Sequence, residues 1–530
     1  MKKFKKLSAF LETSSGITPN VPTLKRFIKI LSGIGYDRLY IGMADAYKIE
    51  SEPRFGYKRG GYTVSDLKEI DRDAKTRGIE VVPQIQLLGH LHYLSKYPEY
   101  QVLFDTKDTL IVGDERVYEF IEKMIKTVSA GLSSRVMHIG LDETFGIGTG
   151  NYLKNNPPAD KKELILRHIE RVNVILEKYG YESVEMWGDM LLEKGDSSVT
   201  LEEIKNRLPK NSSVIVWTYE VKDEKRLSEM FSDGEKITDK LAFAGAVWKW
   251  LGFGANNAFS TDCILEQMRV CEKFGVENYL VTLWADNVSP CSVFAALPSL
   301  FVAAEYANGN IEGIDDLNKD KFLKEAGISY DDILSLDFLD NPFKEVSLFR
   351  SSSSVWVLYT DILLGNFDSI IPNGADKAYL ALAKEYDGKI AGEYGYLFKT
   401  ASSLAKLLAV KATLPSKIRK AYAENDKKSI EKSISLLRKL KKKSENFLSA
   451  YEEYFLHDNM PFGVEIYHLR LGELIVRCEY AVRRLKAYLE SGAKIEELEG
   501  GILPLGYEPM PTISCSIMVD PKLLVSYCLS

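Results

Sequence analysis

Eight short apolar or β-branched runs alternate with amphipathic helical stretches over residues 1–310, and no other feature constrains the fold as tightly. The runs are KLSAFLE, RLYIGM, EVVPQIQ, RVMHIGL, SVEMW, SVIVW, AFAGAVW and YLVTLW. Between them lie stretches such as TLKRFIKILSGI, SDLKEIDRDAKTRG and DERVYEFIEKMIKTVSAGL, whose apolar residues recur at intervals of three and four. A strand followed by a crossover helix, repeated eight times in about 300 residues, has the size and pattern of an α/β fold of the (β/α)8 TIM-barrel type. A doubly wound open sheet would more often carry a glycine-rich phosphate turn after its first strand, and LETSSGITPN is not one.

Beyond residue 310 the strand patterns stop and long helical patterns take over, as in DKKSIEKSISLLRKLKKKSENFLSAYEEYFL. The expected organisation is a catalytic barrel over 1–310, a mainly α-helical C-terminal domain over 311–500, and a tail over 501–530 with no clear period. Lysines 441–443 sit among interleaved acids and helically spaced leucines, which reads as a solvated helix face. With a net charge of −6, nothing points to nucleic acid as a partner. No apolar run approaches the roughly 20 residues of a membrane span, and Glu12 interrupts the N-terminal apolar run too early for a signal peptide. The six cysteines form neither a disulfide framework nor paired C-x-x-C spacing, which suits reduced thiols in a cytoplasm.

In a barrel, the C-terminal ends of the strands face a common cavity. Those positions hold Asp45 after strand two, His90 after strand three, and His138, Asp142 and Glu143 at strand four. Then come Trp187 at strand five, Trp217 and Tyr219 at strand six, Trp248 and Trp250 at strand seven, and Trp284 with Asp286 at strand eight. Five of the six tryptophans thus fall at the ends of strands five to eight, which suggests an aromatic-walled pocket floored by acids, the usual form of a sugar site. Adjacent Asp142 and Glu143 fit either two solvated acids closing a strand or a pair placed for chemistry. His92 completes an HLH triplet, but such metal-binding pairs typically belong to the first barrel strand, so no metal or cofactor is expected.

The hexamer HIGLDE closely resembles the His/Asn-x-Gly-x-Asp-Glu motif of glycoside hydrolase family 20, the β-N-acetylhexosaminidases. FGYKRGGYT, VGDERVYEFIEKM, WGDM, FAGAVWKW, LWADN, LYTDILLGNFD and PFGVEIYHLRLGELI look like bacterial members that carry a C-terminal helical domain, so the likeness spans nearly the whole chain. The resemblance implies a cytoplasmic, retaining exo-β-N-acetylhexosaminidase acting on small oligosaccharides or glycosides, in which the substrate's 2-acetamido oxygen replaces an enzyme nucleophile. Glu143 would be the general acid and base, and Asp142 would orient the acetamido group. His90 and Asp45 would form a relay behind Glu143, with His138 as a supporting residue, although a satisfied rim histidine is the plain alternative for His90. Tyr219 would meet the acetamido oxygen, Trp187, Trp217, Trp248 and Trp284 would box the sugar, and Asp286 would bind O4 or O6.

Three departures matter. Ser15 stands where the family usually has an arginine that clamps O3 and O4, Pro290 stands where close relatives tend to have a glutamate, and the family's EIDMPGH is QIQLLGH. These changes leave two further readings open: the same mechanism on a modified 2-acetamido sugar, or a non-catalytic sugar-binding homologue. Glu465 and Arg470, in NMPFGVEIYHLRLGELI, either make structural contacts within the helical domain or help wall the site, in the same chain or across a homodimer.

Overall fold

The computed structural model describes residues 2–286, 288–343, 353–365, 368, 371 and 373–501; the expectation for the tail beyond 501 lies outside the described residues. Eight parallel strands close into a barrel in sequence order: β1 (Lys6–Glu12), β2 (Arg38–Gly42), β3 (Glu80–Gln84), β4 (Val136–His138), β5 (Ser183–Trp187), β6 (Ser212–Trp217), β7 (Leu241–Ala246) and β8 (Asn278–Leu283). Closure is direct, since Phe10 of β1 pairs with Tyr40 on β2 and with Thr282 on β8. The crossover helices include α1 (Val21–Ile34), α2 (Val64–Thr76), α3 (Glu115–Gly131) and α4 (Lys161–Lys178). Each begins at an oxygen-bearing cap: Asn20 accepts the Thr23 N–H at 2.9 Å, and Thr63 forms a reciprocal capping box with Asp66. These caps start each helix by satisfying backbone N–H groups of its first turn.

Phe10, Tyr40, Val82, Val136, Trp187, Ile215 and Leu280 fill the barrel interior. Interleaved with them is a buried polar cluster in which Tyr40 donates to Glu185 at 2.7 Å and accepts from Asn278 at 3.1 Å, while Arg38 lies 3.5 Å from Glu185. Glu185 is only 5% exposed, so Arg38 is the charge that makes its burial tolerable. Arg38→Ala is therefore expected to cost about 3–5 kcal/mol of barrel stability, read as a lower thermal midpoint with the site otherwise assembled. An unchanged midpoint would mean that Glu185 is buried as the neutral acid.

The chain divides into two compact units. The first comprises Met1–Val247, Ser260–Ala285 and Ser299–Lys321; the second comprises Trp248–Phe259, Asp286–Pro298 and the described residues of Phe322–Ser530. The division is not contiguous in sequence, because the segments that follow β7 and β8 pack with the helical residues. Asn257 donates its backbone N–H and its side-chain amide to Asp337, both at 2.8 Å, and Gly254 donates to Asp340 at 2.5 Å. Later in the second unit come α5 (Lys427–Asp458) and α6 (Val464–Ser491), whose rings Tyr451 and Tyr467 lie 4.1 Å apart. Glu465 accepts the Gly463 N–H at the start of α6, and Arg470 lies over Tyr467 and Tyr359. Both residues thus make contacts inside this unit. Among the described residues, no helix is long and apolar enough to cross a membrane.

Candidate active site

Strand β4 is short because the backbone turns out of strand geometry almost at once. Gly140 (φ 75°), Leu141 (φ 82°) and Glu143 (φ 52°) all occupy the left-handed region. A Cβ at Gly140 would stand 2.0 Å from Gln86 Oε1 and displace that side chain, and the left-handed φ by itself favours the glycine of HIGLDE. Leu141, 1% exposed, anchors the turn by burial and offsets its strain. The outcome is a pair of neighbouring carboxylates with different surroundings, the Asp142 side chain 14% exposed and that of Glu143 50% exposed.

His90 stands between them. Its Nε2 is 3.2 Å from Asp142 Oδ2 and 3.8 Å from Glu143 Oε2, ion-pair distances without hydrogen-bond alignment, while Gln86 Nε2 donates to Asp142 Oδ1 at 3.1 Å. Burial opposes the charge on His90, but Asp142, Glu143 and Asp108 outweigh it and lift the imidazole to about 9. Burial likewise opposes ionisation of Asp142, and here His90 and Gln86 prevail, holding its carboxyl below the ordinary value. Glu143 moves the other way: burial and then the Asp142 charge push it up, only partly countered by His90. Two adjacent acids are thereby split into an ionised group and one that keeps its proton to higher pH, the division of labour that acid–base chemistry needs.

Trp217 and Tyr219, from the end of β6, stack at 5.1 Å, and Trp284, just beyond β8, donates its indole N–H to the Tyr219 hydroxyl at 2.8 Å. Trp187 sits deeper than a pocket wall. It is 1% exposed and packs against Phe10, His138 and Trp284, because the last residue of β5 points into the barrel. His138 is fully buried beneath it, accepts the Gly140 N–H on Nδ1, and is brought by burial down to about 3. Trp248, Trp250 and Asp286 fall in the second unit, where Trp248 stacks on Trp250 at 4.4 Å and Asp286 is exposed.

The expected relay from Asp45 to His90 is not formed. Asp45 is paired instead with Arg59, whose Nε lies 2.6 Å from Asp45 Oδ2, and the acids that face His90 are Asp142, Glu143 and Asp108. The reason is reach: Arg59 comes from a turn held by Lys58 (φ 55°) and Gly60 (φ 74°), lies flat on Tyr93 at 3.5 Å, and also donates to the Ser14 carbonyl. Ser15 donates to Glu12 at the end of β1. The rings of His92 and Tyr93 lie 3.8 Å apart, tilted by 41°. Among the described residues, no three His, Cys, Asp or Glu side chains converge as a metal site.

Sequence reasoning missed Asp189, Gln86 and Arg59. Asp189, in WGDM, accepts the Glu143 backbone N–H at 2.9 Å and the Trp217 indole N–H at 3.3 Å. Its signal was present in its place two residues past Trp187 at a strand end. Gln86 likewise stands two residues beyond β3, on the way to His90. Arg59 lies too far into its loop for strand order to point to it.

The chain is similar to several known proteins. Hexosaminidase D of Bos taurus is 25% identical over 212 residues, a match that takes in 38% of this chain and 60% of the bovine protein. Lacto-N-biosidase of Bifidobacterium bifidum is 32% identical over 108 residues, 19% of this chain and 10% of that protein. The chain thus spans less than two thirds of the length of these curated relatives. Among solved structures, a β-N-acetylhexosaminidase from Bacteroides fragilis aligns with a TM-score of 0.49 at 18% identity, covering 62% of this chain and 72% of that one. The family 20 glycosyl hydrolase catalytic-domain model matches residues 41–238, which carry His90, Asp142, Glu143, Asp189 and Trp217, and the 20C C-terminal-domain model matches 331–516. With catalytic and C-terminal domains both matched, the chain belongs to glycoside hydrolase family 20.

Proposed function

We propose that this protein is a retaining exo-β-N-acetylhexosaminidase, removing terminal β-linked GlcNAc- or GalNAc-type sugars with the substrate's own acetamido oxygen as nucleophile. The observation that carries the reading is the opposite displacement of the two adjacent carboxyl groups, Asp142 shifted below its ordinary value and Glu143 above it, with His90 3.2 Å from the first and 3.8 Å from the second. Glu143 gives its proton to the glycosidic oxygen as the C1–O bond breaks, and the acetamido oxygen closes on C1 to form an oxazolinium ion. Asp142 accepts the acetamido N–H and stabilises the positive charge that develops there. Glu143, now a carboxylate, takes a proton from water as the water adds to C1 and the ring opens, restoring the β anomer. Trp217, Tyr219 and Trp284 supply apolar faces for the sugar, and the Tyr219 hydroxyl is the donor for the acetamido oxygen. The buried free thiols Cys263, Cys271, Cys291 and Cys478 suit a reducing compartment, in keeping with a cytoplasmic enzyme.

The test is inhibition by a sugar thiazoline that mimics the oxazolinium ion, together with NMR of the first anomer released. Low-concentration inhibition and β product are expected. An α product, or indifference to the thiazoline, would overturn the mechanism, and sugar binding without turnover would favour the non-catalytic homologue.

A pH profile follows from the same split. The value of kcat/KM is expected to fall on the acid side as Asp142 gains a proton, below its ordinary 3.8, and on the alkaline side as Glu143 loses one, above its ordinary 4.5. An alkaline limb at or below 4.5, or an acid limb at or above 3.8, would contradict the assignment.

One observation favours an altered glycone. Ser15 is engaged with Glu12 and offers no cationic clamp, so a panel of chromogenic β-GlcNAc, β-GalNAc and 6-substituted analogues should reveal a preference other than plain GlcNAc. Equal or better turnover of plain GlcNAc would remove this second reading.

A further inference from the structure

Three strand ends meet at one carboxylate. Asp189 lies two residues past β5, and its Oδ2 accepts the backbone N–H of Glu143, from the turn after β4, at 2.9 Å. Its Oδ1 accepts the indole N–H of Trp217, the last residue of β6, at 3.3 Å. The Glu143 backbone needs such a tie, because a φ of 52° is a conformation that a glutamate holds only when its surroundings insist on it. Trp217 in turn stacks on Tyr219, so the orientation of the acid and that of one aromatic wall depend on the same two oxygens.

We infer that Asp189 is the positioning residue for the general acid, holding the Glu143 backbone and the Trp217 ring in register so that the acid proton is delivered at the glycosidic oxygen. The inference rests on the reading of Glu143 as general acid. Its chemical core is that two N–H donors must be met by two acceptors at opposite ends of one small group. A carboxylate offers that; an amide of the same size offers one acceptor and one donor, and would set N–H against N–H at one end. Burial raises Asp189 to about 6, with the Asp142 charge adding to the rise and the Glu143 and Trp217 N–H groups opposing it. At neutral pH both of its oxygens are therefore available to accept, and below about 6 one of them becomes a hydroxyl.

The experiment compares wild type, Asp189→Ala, Asp189→Asn and Asp189→Glu on a β-linked N-acetylhexosamine disaccharide and on the 2,4-dinitrophenyl β-glycoside of GlcNAc. The disaccharide needs a well-placed proton at its leaving oxygen and the aryl glycoside does not. Asp189→Ala and Asp189→Asn are each expected to lose on the order of tenfold to a hundredfold in kcat on the disaccharide, with much smaller loss on the aryl glycoside. Asp189→Glu, which keeps both acceptors, should recover part of that loss. The difference between the two substrates is the readout that a merely structural contact would not produce. If Asp189→Ala does not fold, the Asn variant, of the same volume, carries the test. Wild-type turnover with equal losses on both substrates, or an Asn variant equal to wild type, overturns the inference alone. A wild type inactive on both substrates and on their β-GalNAc and 6-substituted analogues overturns the acid assignment and this inference with it.

Discussion

Glu143→Gln is expected to slow hydrolysis of a β-linked disaccharide on the order of 10²–10⁴-fold, while an activated aryl glycoside keeps most of its first step. Glutamine preserves the size and polarity of the side chain but carries no proton acidic enough to protonate a departing sugar oxygen. A dinitrophenolate leaves without that help, so its release should survive as a burst, followed by slow turnover because the amide cannot activate water for the second step. The measurement is pre-steady-state release of the phenol beside steady-state cleavage of the disaccharide. Equal losses on both substrates would remove Glu143 from the role of acid.

Asp142→Asn is expected to lower kcat on the order of 10²–10³-fold with a much smaller change in KM, since a charge facing a developing cation acts chiefly in the transition state. Two further shifts should accompany it. The alkaline limb of the residual activity should move to lower pH, because the charge that helps push Glu143 up is gone. His90 should titrate well below its wild-type value of about 9, having lost the first of the acids that support its charge, and NMR of its ring protons would show this without any turnover. The sign of the stability effect follows: the folded-state value of His90 lies above its ordinary 6.5, so the stability it adds is complete below 6.5 and fades as the pH rises through about 9. The variant should lose most of that dependence. An unchanged His90 titration would mean that the 3.2 Å contact with Asp142 does not govern its charge.

Much of this site was open to reading from residue order. Strand length, apolar period and the helical intervals place seven of the eight strands to within two residues at each end, because a barrel strand must be buried on both faces and its neighbours must twist past it, while RVMHIGL overruns β4 by three residues where the backbone turns away. With the strands placed, their C-terminal ends follow, and Asp142, Glu143, His90, Trp217, Tyr219 and Trp284 are found there. What order could not reveal is which of these groups face one another. Asp45 follows β2, the neighbour of the strand that leads to His90, yet Arg59 reaches it from a turn of left-handed residues. Trp187 occupies the same formal position as Trp217 and is packed into the core while Trp217 is partly exposed, because the strand register sets Trp187 beside Ile215, two residues short of Trp217 along β6. Asp189 looked like one more acid in WGDM until β4, β5 and β6 stood side by side. Burial pattern is a property of one chain segment and is written along it; hydrogen-bond partnership belongs to pairs of segments, and it is fixed by loop conformations at Leu141, Glu143 and Lys58 whose left-handed φ values no local propensity announces.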